Sequence, residues 1–580
     1  SIGQRYRMHL ALARGSGLIF AQLSRILTRR TWFLSQTPSK QTYMLDFLLY
    51  YLVLNLYSSL ITWKFFTANG KPAWSAWVPI YRTYVLTQLA DRPRWWTFLC
   101  YIPVVDNVMS LILTYELLHM HGYRENKHIF LSIATLGLYV GYLNYSAELK
   151  PGTRDDAEIR RRMPATVNHI LFAVVAAGAI RMTTFEAYNI PTGSMEKTLM
   201  VGDYLFVSKM HYGLRLPNTP LSIPLMHNLI PFTQAPSYLD WIELPYTRIP
   251  GWTQPKKGDA VVFNFPTDPD RPVDKKENYV KQCVGTPGDT LKIVNRQVYT
   301  NGEAQSFGER SNPQWSYYVR TNGQGFNPAA LKRNFDINYL DNRLINNQNR
   351  SDVIQITETE YFITISQDML AAFSAQPNID TIVVMNSPGD NVFPEPTPPA
   401  IVWYNENAVA PGVMFPNPDG HQDSIVFPWS RDNYGPIWIP AKGQSVELNY
   451  QTALIYGRAI REYEGHDLAL RDGVYYVDGE AASSYTFGLD YYWMMGDNRH
   501  NSWDSRYWGF VPEDHIVGKP VFIFFSSDQF IEGFLSSKRW ERFFTVVHGE
   551  GQPTSYLWPF VVLVALYYGW DYYRKRKAAK

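Results

Sequence analysis

The chain has 580 residues, too many for a single core, so two or more domains are expected. Its net charge of +2 gives no global field for nucleic acid, and charged residues make up only 18% while aromatic residues reach 15%. Two cysteines in unlike contexts, Cys100 and Cys283, exclude a disulfide framework and a cysteine-based zinc site.

Few charges and many Tyr and Trp side chains point to membrane segments with interfacial aromatic belts. Residues 1–40 are basic, with Arg5, Arg7, Arg14, Arg25, Arg29 and Arg30. They suit an amphipathic surface helix or part of a membrane bundle, and read as topological signals rather than nucleic-acid contacts. Phe47–Trp63 is an apolar run broken mainly by Asn55, and Trp74–Arg94 reads as interfacial. Trp95–Leu118 is apolar but holds Pro103 and Asp106, and Ile129–Tyr145 is a third candidate span. Buried core helices would give similar runs; the length and the flanking Trp, Tyr, Arg and Lys favour membrane helices. Asp106 reads as a cap at a helix break near Pro103 in preference to an intramembrane functional group. A hydrophilic stretch with Arg160-Arg161-Arg162 precedes a fourth apolar run, Thr166–Phe185, whose core Ile170–Ile180 is short for a span. The positive-inside rule puts those arginines in the cytoplasm and the chain after Phe185 on the far side.

Beyond Gly202 the texture changes to short β-rich runs. Tyr204–Val207, Ala260–Phe265 and Thr290–Val294 read as strands. Gln297–Glu303 and Val474–Glu480 read as hairpins, because Asn-Gly and Asp-Gly suit type I′ turns. Residues 304–470, rich in Asn, Gln, Pro and aromatics, read as an inserted β subdomain. Asn417–Asp423 lacks the ligand spacing of a calcium loop and reads as a turn. Tyr556–Trp570 is a last apolar run, followed by the basic tail Arg574-Lys-Arg-Lys577.

Two stretches carry chemistry. Asn189–Leu199 presents Ser194 in a Pro- and Gly-framed turn, and Tyr279–Asp289 puts Lys281 inside an apolar strand. Burial of that lysine would depress its pKa from about 10.4 toward neutrality, making a general base beside a nucleophile. Singly, a turn serine and a snorkelling lysine are ordinary. Ser194-Met-Glu-Lys197 offers a nearer lysine in a Ser-x-x-Lys pattern.

Four ordered boxes resemble the type I signal peptidase (leader peptidase) family: Pro191-Thr-Gly-Ser-Met195 with Gly202-Asp203, Gly258–Phe263, Tyr279–Asp289, and Gly496–Pro512. The resemblance covers residues 166–304 and 474–530. It implies a mainly β catalytic domain of the antiparallel signal-peptidase type, plus α-helical transmembrane segments. It further implies that Ser194 attacks the scissile carbonyl, that Lys281 is the base, and that Ser502 orients Lys281. The Ser194 N–H and the Thr192 hydroxyl would form the oxyanion hole, with Asp497, Asp504 and Arg506 in support. Tyr188, Ile190, Pro191, Leu205, Val262 and Val280 match positions around small apolar substrate pockets. Three positions depart from the family's pattern: Lys197 where proline is common, Gln282 where arginine is usual, and His500 in place of aspartate.

The expected organisation follows. Residues 1–148 form a membrane region with about three spans, 149–165 a cytoplasmic basic linker and 166–186 an anchor. Residues 187–303 and 471–550 form the peptidase core, 304–470 the insert, 555–573 a C-terminal span and 574–580 a cytoplasmic tail. The protein is expected to be a multi-pass protein of the bacterial inner membrane with its catalytic domain periplasmic. Its partners would be signal peptides of preproteins, the lipid membrane and the export translocon, with no nucleic acid. No cofactor and no metal are expected; His119, His121, His500 and His515 form no recognisable ligand set. A penicillin-binding-type acyl enzyme using Lys197 and a silent scaffold of the export machinery are the alternatives.

Overall fold

The computed structural model describes residues 40–153, 155, 165–308, 310–339, 351–387, 414–416, 427–528 and 533–578; the arginines at 5–30 and 160–162 and the stretch 417–423 lie outside them. The chain forms two compact units, Ser1–Thr184 with Leu214–Ile249, and Phe185–Gly213 with Pro250–Lys580.

The described residues of the first unit carry its helices between Lys40 and Thr183. Lys40–Ala68 runs for 29 residues, and its part Leu45–Ala68 is, among the described residues, the one unbroken helix long and apolar enough to cross a membrane. The run expected at 129–145 is instead a bent pair, Asn126–Ala134 and Leu138–Ser146, set at 117°. Leu136 and Gly137 both have positive φ at the break, and a Cβ on Gly137 would meet Ile61 at 3.0 Å. The run at 95–118 is also divided, into Trp96–Leu99 and Val105–Met120. The second helix buries Glu116 against Arg92. Asp106 sits in the first turn of that helix, its carboxylate accepting from the Asn107 N–H at 2.9 Å, as a helix-start residue should. Leu216 and Leu244, from the later segment of this unit, pack on Phe47 and Tyr50. Ala165–Thr183 is helical over 19 residues, but its apolar part, His169–Thr183, is shorter than a span.

The second unit is mainly β. Its largest sheet has eight strands, in the order Phe185–Asn189, Asp203–Ser208, Ile516–Ser526, Ala260–Asn264, Asn278–Gly285, Tyr491–Met495 and Val511–Pro512, with Thr545–Val546 against Ile516–Ser526. All its pairings are antiparallel. The two hairpin turns read from Asn-Gly and Asp-Gly are present, with positive φ at Asn301, Gly302, Asp478 and Gly479. Gln314–Thr321, Val353–Gln355, Glu360–Ser366 and Ile379–Val384 form a separate four-stranded sheet, with helices Pro328–Phe335 and Gln367–Ser374 covering a core of Tyr317, Val319, Leu331, Ile363 and Phe373. Later residues of the expected insert serve the peptidase core directly. Tyr434–Trp438 pairs with Thr290–Val294, and Ile439, Ile455, Tyr456 and Ile460 share a buried cluster with Trp493 and Phe510. The chain closes on Leu557–Ala578, a helix whose Trp558, Val562, Leu563 and Leu566 are all exposed.

Candidate active site

The serine turn is set by a strand pair. Phe185–Asn189 lies antiparallel to Asp203–Ser208 with Tyr188 opposite Leu205. The Ile190 N–H donates to the Asp203 carbonyl and the Gly202 N–H to the Ile190 carbonyl, each at 2.9 Å, and close the neck of the loop. Within the loop Gly193–Met195 makes one tight helical turn. Met195 and Leu199 anchor it in an apolar cluster with Ile190, Leu205, Val207 and Val262, which leaves Ser194 half-buried at the rim. Burial of the large apolar residues thus places a small polar one at the surface.

Lys281 comes from Asn278–Gly285, opposite Val261 in the ladder with Ala260–Asn264. The side chain is buried, and Nζ lies 2.6 Å from Ser194 Oγ and 3.2 Å from the Val280 carbonyl. Burial lowers its pKa to about 8, against the opposing pull of the Asp504 and Asp497 carboxylates. The Tyr279 ring lies 5.5 Å from the amine.

The turn after Tyr491–Met495 supplies the remaining groups. Arg506 is buried, and its Nε and Nη2 donate to the two Asp504 oxygens at 2.9 and 2.8 Å. Burial would raise the Asp504 pKa, but Arg506 outweighs it and holds the carboxyl below its ordinary range. Asp497 is raised by burial, with Arg499 and the Thr198 hydroxyl opposing. Ser502 Oγ is sealed from water. It lies near enough to Asp504 to favour its ionised form, but makes no hydrogen bond to Lys281 in this geometry. His500 is also buried, accepting from the Ser316 N–H at Nδ1 (3.1 Å) and facing Asp432 through Nε2 (2.8 Å). Burial pushes its pKa down to about 4, so it is a neutral imidazole that donates to Asp432.

Of the positions expected to line a pocket, Ile190, Leu205 and Val262 are at most 4% exposed and lie in the buried cluster beneath the serine turn, whereas Tyr188 and Val280 are partly open and Pro191 is exposed. Thr192, also exposed, makes no capping hydrogen bond with its hydroxyl. Lys197 faces away from the role of base, because Nζ is paired with Asp336 Oδ2 at 2.6 Å. Among the described residues no group of His, Cys, Asp or Glu could hold a metal ion.

Two residues were not singled out from the sequence. Asn498 donates its N–H to the Ser194 carbonyl and Nδ2 to the Gly193 carbonyl, both at 3.1 Å. Gly496 has no room for a side chain: a Cβ there would lie 2.2 Å from Ser502 Oγ and 2.5 Å from the Ser194 carbonyl oxygen. Both stand inside the Gly496–Pro512 box, the signal that could have marked them. Gly496→Ala should therefore displace the serine turn and lower kcat by about 100-fold, as small misplacements at reacting centres do. A kcat within about twofold of wild type would show that the turn yields.

Residues 163–367 and 439–525 match the family described as "Signal peptidase, peptidase S26", about half of the chain. Residues 74–150 match a family of unknown function, DUF5684. Signal peptidase I of Buchnera aphidicola subsp. Acyrthosiphon pisum is 22% identical over 361 residues, 60% of this chain and 71% of that protein. The Pseudomonas aeruginosa signal peptidase I is 33% identical over 135 residues, 23% of this chain and 35% of the relative. That of Rickettsia conorii is 27% identical over 199 residues, 33% of this chain and 64% of the relative.

Proposed function

The chain belongs to the signal peptidase S26 family, whose reaction is the cleavage of signal peptides by a serine peptidase, and we propose that Ser194 and Lys281 carry out that reaction here. The 2.6 Å approach of a buried lysine amine to the serine hydroxyl is the observation that carries the assignment. Neutral Lys281 takes the Ser194 proton as Oγ attacks the scissile carbonyl. The protonated amine then returns the proton to the leaving amine, and Lys281 activates the water that hydrolyses the acyl-enzyme. The Ser194 N–H and the Thr192 hydroxyl receive the developing oxyanion. Ser502, whose sealed hydroxyl lies beside the Asp504 carboxylate, is suited to steady the Lys281 amine once it turns toward substrate. Tyr188, Pro191 and Val280 line the substrate groove above the Ile190, Leu205 and Val262 floor.

The penicillin-binding alternative is not favoured, since Lys197 is engaged by Asp336. The relatives' membrane association has a counterpart in the apolar helix Leu45–Ala68. The bent pair at 126–146, taken as one span, supports a multi-pass reading, with the catalytic unit on the periplasmic side, against lipid and beside the export translocon. The full chain in detergent should release the mature N-terminus from a preprotein with an Ala-x-Ala site, and Ser194→Ala should not. A preprotein left uncut by the wild type overturns the reading.

A further inference from the structure

We propose that the chain at residues 311–339 is a positioning element of the catalytic site, with Gln314 and Asp336 holding the serine turn against the Gly496–Arg506 turn. This deepens the Ser194–Lys281 reading and rests on it.

Gln314 is fully buried and touches both turns. Its N–H donates to the Asp497 carbonyl at 2.8 Å, and its carbonyl accepts from the Arg499 N–H at 3.0 Å. The side-chain Nε2 donates to the Glu196 carbonyl at 3.0 Å, two residues past the nucleophile. Bracketed in this way, Asn498 holds the carbonyls of Gly193 and Ser194. A continuous set of hydrogen bonds therefore runs from this segment to the reacting serine.

A second tether lies on the other side of Ser194. Lys197 has φ +71°, the left-handed region that a lysine rarely adopts, so something must hold it there. Its amine is paired with the Asp336 carboxylate and also donates to the Asp336 carbonyl. Asp336 ends the helix Pro328–Phe335 with φ +52°, and Lys332 fixes its other oxygen at 2.6 Å. A rigid helix end thus grips the serine turn.

The three departures from the family's pattern all meet residues between 304 and 470. Lys197 meets Asp336, Gln282 donates to Ser311 Oγ at 2.7 Å, and His500 meets Asp432 and the Ser316 N–H. None of these contacts reaches Lys281, whose charge balance is set by burial and by Asp504 and Asp497. Loss of a tether should accordingly lower kcat and leave the base's titration where it was.

The test uses the full chain in detergent with a preprotein substrate. Asp336→Asn and Lys197→Ala should each lower kcat about tenfold, with KM within about twofold and the acid limb of the pH profile unmoved. The double variant should lose no more than either single one, since both cut the same contact. Gln314→Ala should repeat the loss. Arg320→Ala, which breaks the exposed Arg320–Asp380 pair in the same four-stranded sheet, should leave kcat unchanged. Amide exchange over residues 193–199 should quicken in Asp336→Asn. The proposal is overturned by a kcat within twofold of wild type in Asp336→Asn, or by an equal loss in Arg320→Ala. If the wild type itself leaves the preprotein uncut, the catalytic reading fails, and exchange over 193–199 still decides: unchanged protection in Asp336→Asn overturns the positioning role.

Discussion

Lys281→Ala is expected to reduce signal-peptide cleavage by about 10³- to 10⁴-fold, the scale on which removing the base of a catalytic unit acts. The nearer lysine, Lys197, is held by Asp336 and is not placed to replace it. The wild type should be inactive in acid and gain activity with pH. Burial lowers the Lys281 pKa to about 8, so the unprotonated form that can accept the serine proton predominates only above that value. At pH 6 roughly one amine in a hundred is neutral, and kcat/KM should stand about 100-fold below its alkaline plateau. Lys197→Ala should retain that pH profile at a lower plateau. A profile flat from pH 5 to 9, or a larger loss in Lys197→Ala than in Lys281→Ala, would contradict the assignment.

Asp504→Ala should produce the largest loss of stability among the site's substitutions, about 3–5 kcal/mol. Arg506 would keep its charge in a pocket only 1% exposed, with the carbonyls of Arg431 and Arg499 as its remaining acceptors. Two further contacts go with the carboxylate, from the Gly496 N–H at 3.1 Å and the Arg506 N–H at 3.2 Å. The melting transition of the catalytic unit should fall by about 10 °C at pH 7. Arg506 holds the Asp504 pKa below the unfolded value, so its contribution is present above about pH 4 and fades as pH drops through the lower folded value. The gap between wild type and Asp504→Ala should therefore narrow in acid. Asp504→Asn, which keeps the acceptor and loses the charge, should fall between them. Equal melting temperatures for wild type and Asp504→Ala at pH 7 would remove the ion pair from any account of how the turn is held.

Much of the catalytic unit was legible along the chain because it rests on local chemistry. Asn301-Gly302 and Asp478-Gly479 adopt the turns their residues permit, and the antiparallel β character follows from short alternating runs between them. Ser194 and Lys281 were legible for a related reason. A serine framed by proline and glycine and a lysine within an apolar strand are local oddities, and the boxes around them are contiguous. Hydropathy was a weaker guide in the first unit. It averages over residues and does not register one left-handed position, so Gly137 bends an apolar run that reads as a single span, and Val104 and Pro103 divide another. Tertiary contacts settled which lysine meets the serine. Lys197 is three residues away and Lys281 eighty-seven, yet the sheet register carries Lys281 to 2.6 Å from the hydroxyl while Asp336 draws Lys197 aside. The same holds for Gln314, whose partners at 196, 497 and 499 lie in distant parts of the chain. A hydrogen bond closed over such a separation leaves no periodicity in the sequence, because it depends on where two loops come to rest and not on what either is made of.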